Sequence, residues 1–193
     1  MTPNKIAVTG GLGSGKSEFC GILREMGYPV FSCDEINREL WKDPSYLSEL
    51  AGLFPDCLTD GLPDKTKLSR KVFSDERARA RLNALSQPRI MQELIGRMNG
   101  FPTTVFAEVP LLFEGGYEKL FDAVIALRRD KETRISAVSK RDGLTRTDAL
   151  ARIQRQFDPD KLEEKQCLIV ENDGDRAALK QKAELILQAI RSE

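Results

Sequence analysis

Gly10-Gly11-Leu12-Gly13-Ser14-Gly15-Lys16-Ser17 fits the pattern G-x-x-x-x-G-K-[ST], and no other stretch constrains the fold as tightly. A loop of this kind belongs between a strand and a helix, because its backbone N–H groups converge on one point and a helix N-terminus adds its positive end there. The flanks comply. Ile6-Ala7-Val8 is a short apolar run suited to a buried strand, and Phe19, Ile22, Leu23 and Met26 follow at i, i+3, i+4 and i+7. Gly11, Leu12, Gly13, Ser14, Gly15, Lys16 and Ser17, with Glu18 behind them, are the candidate phosphate-binding residues of a nucleotide site. Lys16 is expected to reach the β- and γ-phosphates, and the Ser17 hydroxyl to ligate Mg²⁺.

Composition narrows the remaining classes. The 193 residues carry 30 basic and 30 acidic side chains, so no whole-molecule field favours nucleic acid or an anionic membrane. The length suits one compact core with small insertions. No apolar run approaches a membrane-spanning helix, and the chain enters its first strand almost at once, so no signal peptide is expected. Cys20, Cys33, Cys57 and Cys167 lie far apart and form no C-x-x-C; they read as reduced packing residues of a cytoplasmic protein. Histidine is absent, which excludes Ser-His-Asp and Cys-His catalysis and leaves a carboxylate as the expected general base.

Gly27 closes the first helix and Pro29-Val30-Phe31 is a second apolar run, so a right-handed parallel crossover is expected. Open parallel sheets bind ligands beyond the carboxyl ends of their strands. Asp34 falls just past such an end and is the candidate base for a hydroxyl being phosphorylated. Ser32-x-x-Glu35 also reads as a capping box, an arrangement that leaves Asp34 free. From Ile36 to Met98 the periodicity is helical, broken by the turn-rich stretch Pro55–Asp64, with no convincing strand. A helical insertion over one edge of the sheet, 35–101, is therefore expected. Its cations, Lys65 to Arg89, suit solvated helix faces, with one or two available to an anionic substrate.

Strand character returns at Thr103–Glu108. An acidic residue ending such a strand is where proteins with this loop hold Mg²⁺ through a water, so Glu108 joins Ser17 as a metal candidate, with Glu114 ranked below it. Phe121–Leu127 reads as the next buried strand. Asp130 caps a helix to about Arg141, Gly143 breaks it, and Thr145-x-x-Asp148 opens another. Arg128, Arg129, Arg134, Lys140, Arg141, Arg146, Arg152 and Arg155 lie between and along the two. Short arginine-laden helices hinged at a glycine suggest a lid over 129–165 that brings guanidinium groups to the γ-phosphate and excludes water. Arg141, near the turn, and the pair Arg152 and Arg155 stand out. After a last strand at Cys167–Val170, the turn at Glu171-Asn172-Asp173-Gly174 places Asn172 where a nucleotide base is commonly met. The fold class is α/β: a three-layer α/β/α arrangement on a parallel sheet, with its core in 1–34, 102–128 and 166–193.

Together these features resemble the nucleoside and nucleotide kinases. The finer wording is similar to the dephospho-CoA kinases: Thr9 to Ser17, Asp34, Val109-Pro110-Leu111-Leu112-Phe113-Glu114, Lys140-Arg141-Asp142-Gly143-Leu144, Ala149-Leu150-Ala151-Arg152-Ile153 and Val170-Glu171-Asn172-Asp173-Gly174. The loop alone is generic; the Pro110–Glu114 and Arg141–Leu144 segments are more specific, and the resemblance covers nearly the whole chain. It implies transfer of the ATP γ-phosphoryl group to the ribose 3′-hydroxyl of dephospho-CoA, the last step of CoA synthesis, with Mg²⁺. It implies the helical insertion 35–101 as the substrate-binding region, Asp34 as base, Arg141 in the lid and Asn172 near adenine. No nucleic-acid or membrane partner is implied, and a monomer or small homo-oligomer is expected. Three positions depart from the family's usual wording: Cys33 where Ala is common, Gln87 where His precedes Pro88, and Glu18 where Thr follows the loop serine. Another small-molecule kinase is the first rival. A guanine-nucleotide switch is disfavoured by the lack of N-K-x-D and of a suitable D-x-x-G, and an inactive kinase fold by intact Lys16, Ser17 and Asp34.

Overall fold

The computed structural model describes residues 5–192. By packing the chain divides into two compact units: one holds the residues up to Phe31 together with those from Met98 onward, and the other is Ser32–Arg97.

The first unit is built on a five-stranded sheet. Its strands are β1 (Lys5–Gly10), β2 (Val30–Ser32), β5 (Val105–Glu108), β6 (Ala123–Arg128) and β7 (Leu168–Glu171), in the order β2-β5-β1-β6-β7. β1 pairs parallel with β5 and β6, and β6 parallel with β7; Ile6 lies opposite Phe106 and Ala123, and Val8 opposite Glu108 and Ile125. Parallel pairing demands a crossover between strands, which helix α1 (Lys16–Glu25) supplies after β1. Alternation along the strands sorts the side chains. Ile6, Val8, Phe106, Ile125, Leu127 and Val170 face Phe19, Ile22 and Leu23 of α1 and Leu179, Ala183 and Leu187 of α8 (Arg176–Ser192). The intervening Ala7, Val105, Ala107, Val124 and Ala126 are buried as well, as expected of a parallel sheet covered on both sides.

Two further helices of this unit form a hairpin. α6 (Lys131–Asp142) starts at Asp130, whose carboxylate accepts from Thr133 N–H at 2.9 Å, and stops at Gly143 in the left-handed conformation. α7 (Arg146–Ile153) is capped by Thr145, which accepts from Asp148 N–H at 3.1 Å. Ile135 and Val138 of α6 pack on Ala149 and Ile153 of α7, and Leu12 joins this small core.

The second unit is helical: α2 (Cys33–Leu40), α3 (Pro44–Leu53), α4 (Lys65–Ser74) and α5, which runs Glu76–Met98 and so ends one residue into the other unit. Tyr46, Leu50, Phe54, Cys57, Leu68 and Ala78 form its core, and Tyr46 and Ser86 share a hydrogen bond of 2.8 Å across it. One expectation is corrected here. The turn-rich stretch carries a two-stranded antiparallel hairpin, β3 (Leu58–Thr59) and β4 (Leu62–Pro63). Asp60 and Gly61 have φ of 51° and 78°, the paired positive values of a type I′ hairpin turn, so the Asp-Gly dipeptide was the signal. Several of the insertion's cations hold the unit together: Arg81 donates to Leu53 O at 3.0 Å and covers Phe54, and Lys65 lies over Trp41.

Candidate active site

β1 leads into the glycine-rich loop at Gly10, and α1 begins at Lys16. Gly15 is the N-cap, with φ 95°, and a Cβ there would lie 2.1 Å from Asn172 Nδ2. Conformation and space both demand glycine at this point. Ser14 N–H closes the turn on Gly11 O at 3.1 Å. Asn172, buried after β7, donates from Nδ2 to Ser14 O at 2.9 Å, and its own N–H donates to Arg128 O at 2.8 Å. Asn172, expected near the nucleotide base, is thus tied through its side-chain amide to the phosphate loop.

Lys16 is 8% exposed, and its Nζ donates to Gly10 O at 2.7 Å and Gly11 O at 3.1 Å. The ammonium therefore lies folded along the loop whose N–H groups would receive phosphate. Ser17 Oγ donates to Glu108 Oε1 at 2.8 Å. Glu108 ends β5, is 7% exposed, and lies on the sheet face that α1 covers, because its register partner is Val8. A hydroxyl and a carboxylate at the start of a helix are hard oxygen donors of the kind Mg²⁺ takes, one or two from protein and the rest from phosphates and water. Among the described residues no group of three or more Asp, Glu, His or Cys could hold a metal alone, so a cation here would share its ligands with the nucleotide. Glu108 also acts on Cys20 beneath it. Burial pushes the Cys20 thiol up to about 12, Glu108 adds to the rise, and Arg24 and Lys16 oppose it. Cys20 is thus an inert packing residue, and all four cysteines are free.

Asp34 is exposed and is the second residue of α2, directly after β2. The expected capping box is not formed. Ser32 caps α2 without a side-chain hydrogen bond, being buried as the last residue of β2, and Glu35 lies 3.9 Å from Arg38 one turn on. Glu114 accepts from Phe157 N–H at 2.8 Å, and the Phe113 and Phe157 rings meet at 4.8 Å, so the loop after β5 anchors the segment that follows α7. Glu18 is exposed in the first turn of α1, 3.9 Å from Arg176.

Of the hairpin arginines, Arg141 reaches both carboxylate oxygens of Asp142, at 2.7 and 3.0 Å, and Arg152 lies 3.5 Å from the same group. The Arg141 hydrogen bond, with the charges of Arg141 and Arg152, holds the Asp142 carboxyl below its ordinary value. Arg155 is exposed. Two residues that the sequence did not single out reach the loop backbone directly. Arg134 Nε donates to Leu12 O at 3.0 Å, and Gln156 Oε1 accepts from Leu12 N–H. One signal was available for Arg134: a cation in a first helical turn opposes the helix dipole.

A parallel sheet, a strand–glycine loop–helix phosphate cradle, and a serine–glutamate pair beside it define a P-loop kinase. The comparisons narrow the class. The family model described as dephospho-CoA kinase matches residues 4–178. A dephospho-CoA kinase of Deinococcus radiodurans is 34% identical over 196 residues, covering 97% of this chain and 93% of the relative. The crystal structure of TT1252 from Thermus thermophilus superposes with a TM-score of 0.85 at 31% identity, and the dephospho-CoA kinase from Campylobacter jejuni with 0.71 at 26%; each comparison covers 98% of both chains. The chain belongs to the dephospho-CoA kinase family.

Proposed function

We propose that this chain transfers the γ-phosphoryl group of ATP to the ribose 3′-hydroxyl of dephospho-CoA, giving CoA and ADP as the last step of CoA synthesis. The family match over residues 4–178 carries this reading, and the loop geometry supports it. The hydroxyl oxygen forms a bond to the γ-phosphorus, the bond from that phosphorus to the β–γ bridging oxygen breaks, and ADP leaves. Asp34 accepts the hydroxyl proton. Loop N–H groups and Lys16 hold the phosphates, and Arg141, released from Asp142, meets charge on the transferring group. Ser17 and Glu108 would hold Mg²⁺, which neutralises phosphate charge when bound. No helix among the described residues is long and apolar enough to cross a membrane. The free cysteines favour a reducing, cytoplasmic setting, and the balanced charge favours a small-molecule substrate without a nucleic-acid partner. We take the working form to be a monomer or small homo-oligomer.

The direct test is ADP release coupled to dephospho-CoA against a panel of nucleoside monophosphates, nucleosides and sugars. Turnover with dephospho-CoA far above the rest is expected; preference for another acceptor overturns the substrate assignment. A second prediction addresses the metal. Glu108→Gln keeps a partner for Ser17 Oγ but loses the charge, so the Mg²⁺ concentration for half-maximal rate should rise about 10–100-fold. Binding of ATP measured in EDTA should stay unchanged. An unaltered Mg²⁺ titration would return Glu108 to a structural role.

A further inference from the structure

Arg134 is a cation in costly surroundings. It is 3% exposed. It is the fourth residue of α6, near the helix's positive end, where the Asp130 carboxylate already takes the Thr133 N–H. Its Nε is satisfied by Leu12 O, but its Nη2 is buried and has no hydrogen-bond partner among the described residues. The guanidinium presses so closely on the loop that a Cβ on Gly11 would lie 2.3 Å from Nη2. Burial pushes the group below its ordinary value, and the charges of Asp158 and Asp160 push it back up. A buried guanidinium with an unmatched donor is a destabilising arrangement that persists where something else compensates it.

Asp158 and Asp160 supply part of that compensation, and the contacts of Arg134 with the loop point to where the rest is met. Arg134 and Gln156 take the two backbone groups of Leu12, its carbonyl and its N–H. The Leu12 side chain belongs to the apolar core of the α6–α7 hairpin. The hairpin therefore grips the phosphate loop at one residue, by side chain and by backbone. Arg134 also borders, with Gln156, Asp158 and Asp160, a cavity of about 740 Å³ that no residue of the glycine loop lines, so the contact of Arg134 with the nucleotide site runs through Gly11 and Leu12. We propose that Arg134 is a positioning residue for the nucleotide: it fixes Leu12 from the hairpin side and supplies a buried positive charge that a polyphosphate bound in the loop neutralises. The inference rests on the nucleotide part of the reading above and is independent of the acceptor.

The signature is a conflict between stability and binding. Arg134→Met removes the charge and keeps an apolar stem. Without nucleotide the variant is expected to melt no lower than wild type, because relief of the buried charge and of its unmatched Nη2 donor offsets the lost bond to Leu12 O and the lost attraction of Asp158 and Asp160. Calorimetry should show ATP affinity falling about tenfold or more, the worth of one favourable charge interaction, ADP affinity falling less, and adenosine affinity unchanged. Arg134→Lys, which keeps the charge, should restore most of the preference for ATP over adenosine. An equal loss for all three ligands, or a lowered melting point with unchanged ATP affinity, overturns the inference and makes Arg134 a structural brace. If Arg134→Met does not fold, Arg134→Gln carries the same three-ligand comparison with a donor left for Leu12 O. Wild-type protein that binds ATP yet leaves dephospho-CoA untouched would sink the acceptor assignment alone. Wild-type protein that makes CoA beside an Arg134→Met variant with normal ATP affinity would sink this inference alone.

Discussion

Asp34→Asn is expected to lower kcat at least about a hundredfold, while Mg-ATP binding stays within a few-fold. The substitution preserves size and most hydrogen bonding and removes charge and basicity. Chain chemistry narrows the alternatives, since no histidine exists to serve as base. The structure narrows them further. Glu108 accepts from Ser17 Oγ and Glu114 from Phe157 N–H, so both rival carboxylates already hold a partner, whereas Asp34 is an exposed group in the first turn of α2. A carboxylate at that end of a helix contributes only about 0.3–1 kcal/mol, so Asn there should shift the melting point little. Loose phosphoryl-transfer transition states need little early deprotonation, and part of the lost rate would come from misorienting the hydroxyl. Calorimetry for ATP and the coupled assay for product separate the outcomes. A variant that stays active but melts well below wild type would make Asp34 a helix-end residue and send the search to Glu108 or Glu114.

Lys16→Ala should cost about 10²–10³-fold in kcat, the usual loss when one fixed donor to developing charge is removed. Phosphoryl transfer involves little covalent chemistry by the protein, so positioning and neutralisation carry most of the effect. The fold should survive. Lys16 is the first residue of α1, where alanine is well tolerated, and the carbonyls of Gly10 and Gly11 that it now serves have other acceptor uses once water enters. The expected record is a native melting curve with nearly abolished turnover. Near-normal turnover with an intact melt would refute the phosphate-loop assignment.

The fold was legible where local chemistry and long-range packing agree. The glycine loop, the apolar strands at Ile6, Val105 and Val124, the cap at Asp130 and the stop at Gly143 each obey a rule that needs only neighbouring residues. Ser17 and Glu108 were singled out in the sequence as candidates for one metal site; their direct hydrogen bond and the place of β5 beside β1 come from the structure. Other contacts were hidden for a physical reason. Arg134 and Gln156 meet Leu12 across 122 and 144 residues of chain; the place of Arg134 near a helix start marks it as unusual, but no local rule says that its guanidinium is aimed at the Leu12 carbonyl rather than at solvent. Arg141 looked like the arginine to watch because it flanks a hinge, yet here its side chain engages Asp142 next to it. The Ser32–Glu35 cap failed for the converse reason: a local rule yielded to a serine buried at the end of its strand.

The posture of Lys16 has a thermodynamic consequence. A free lysine side chain gives up as much as about 1.5–2 kcal/mol of rotamer freedom when it is immobilised. Here the ammonium is already held by two carbonyls and the side chain is 8% exposed. Its ordering and most of its dehydration are therefore completed during folding rather than at the encounter with a nucleotide. Binding then becomes an exchange of one set of oxygens for another by a preorganised group. The entropic penalty of grasping the phosphates is thus carried by the stability of the sheet and its first helix, and a substitution that loosens β1 or α1 would weaken nucleotide affinity without touching a single phosphate contact.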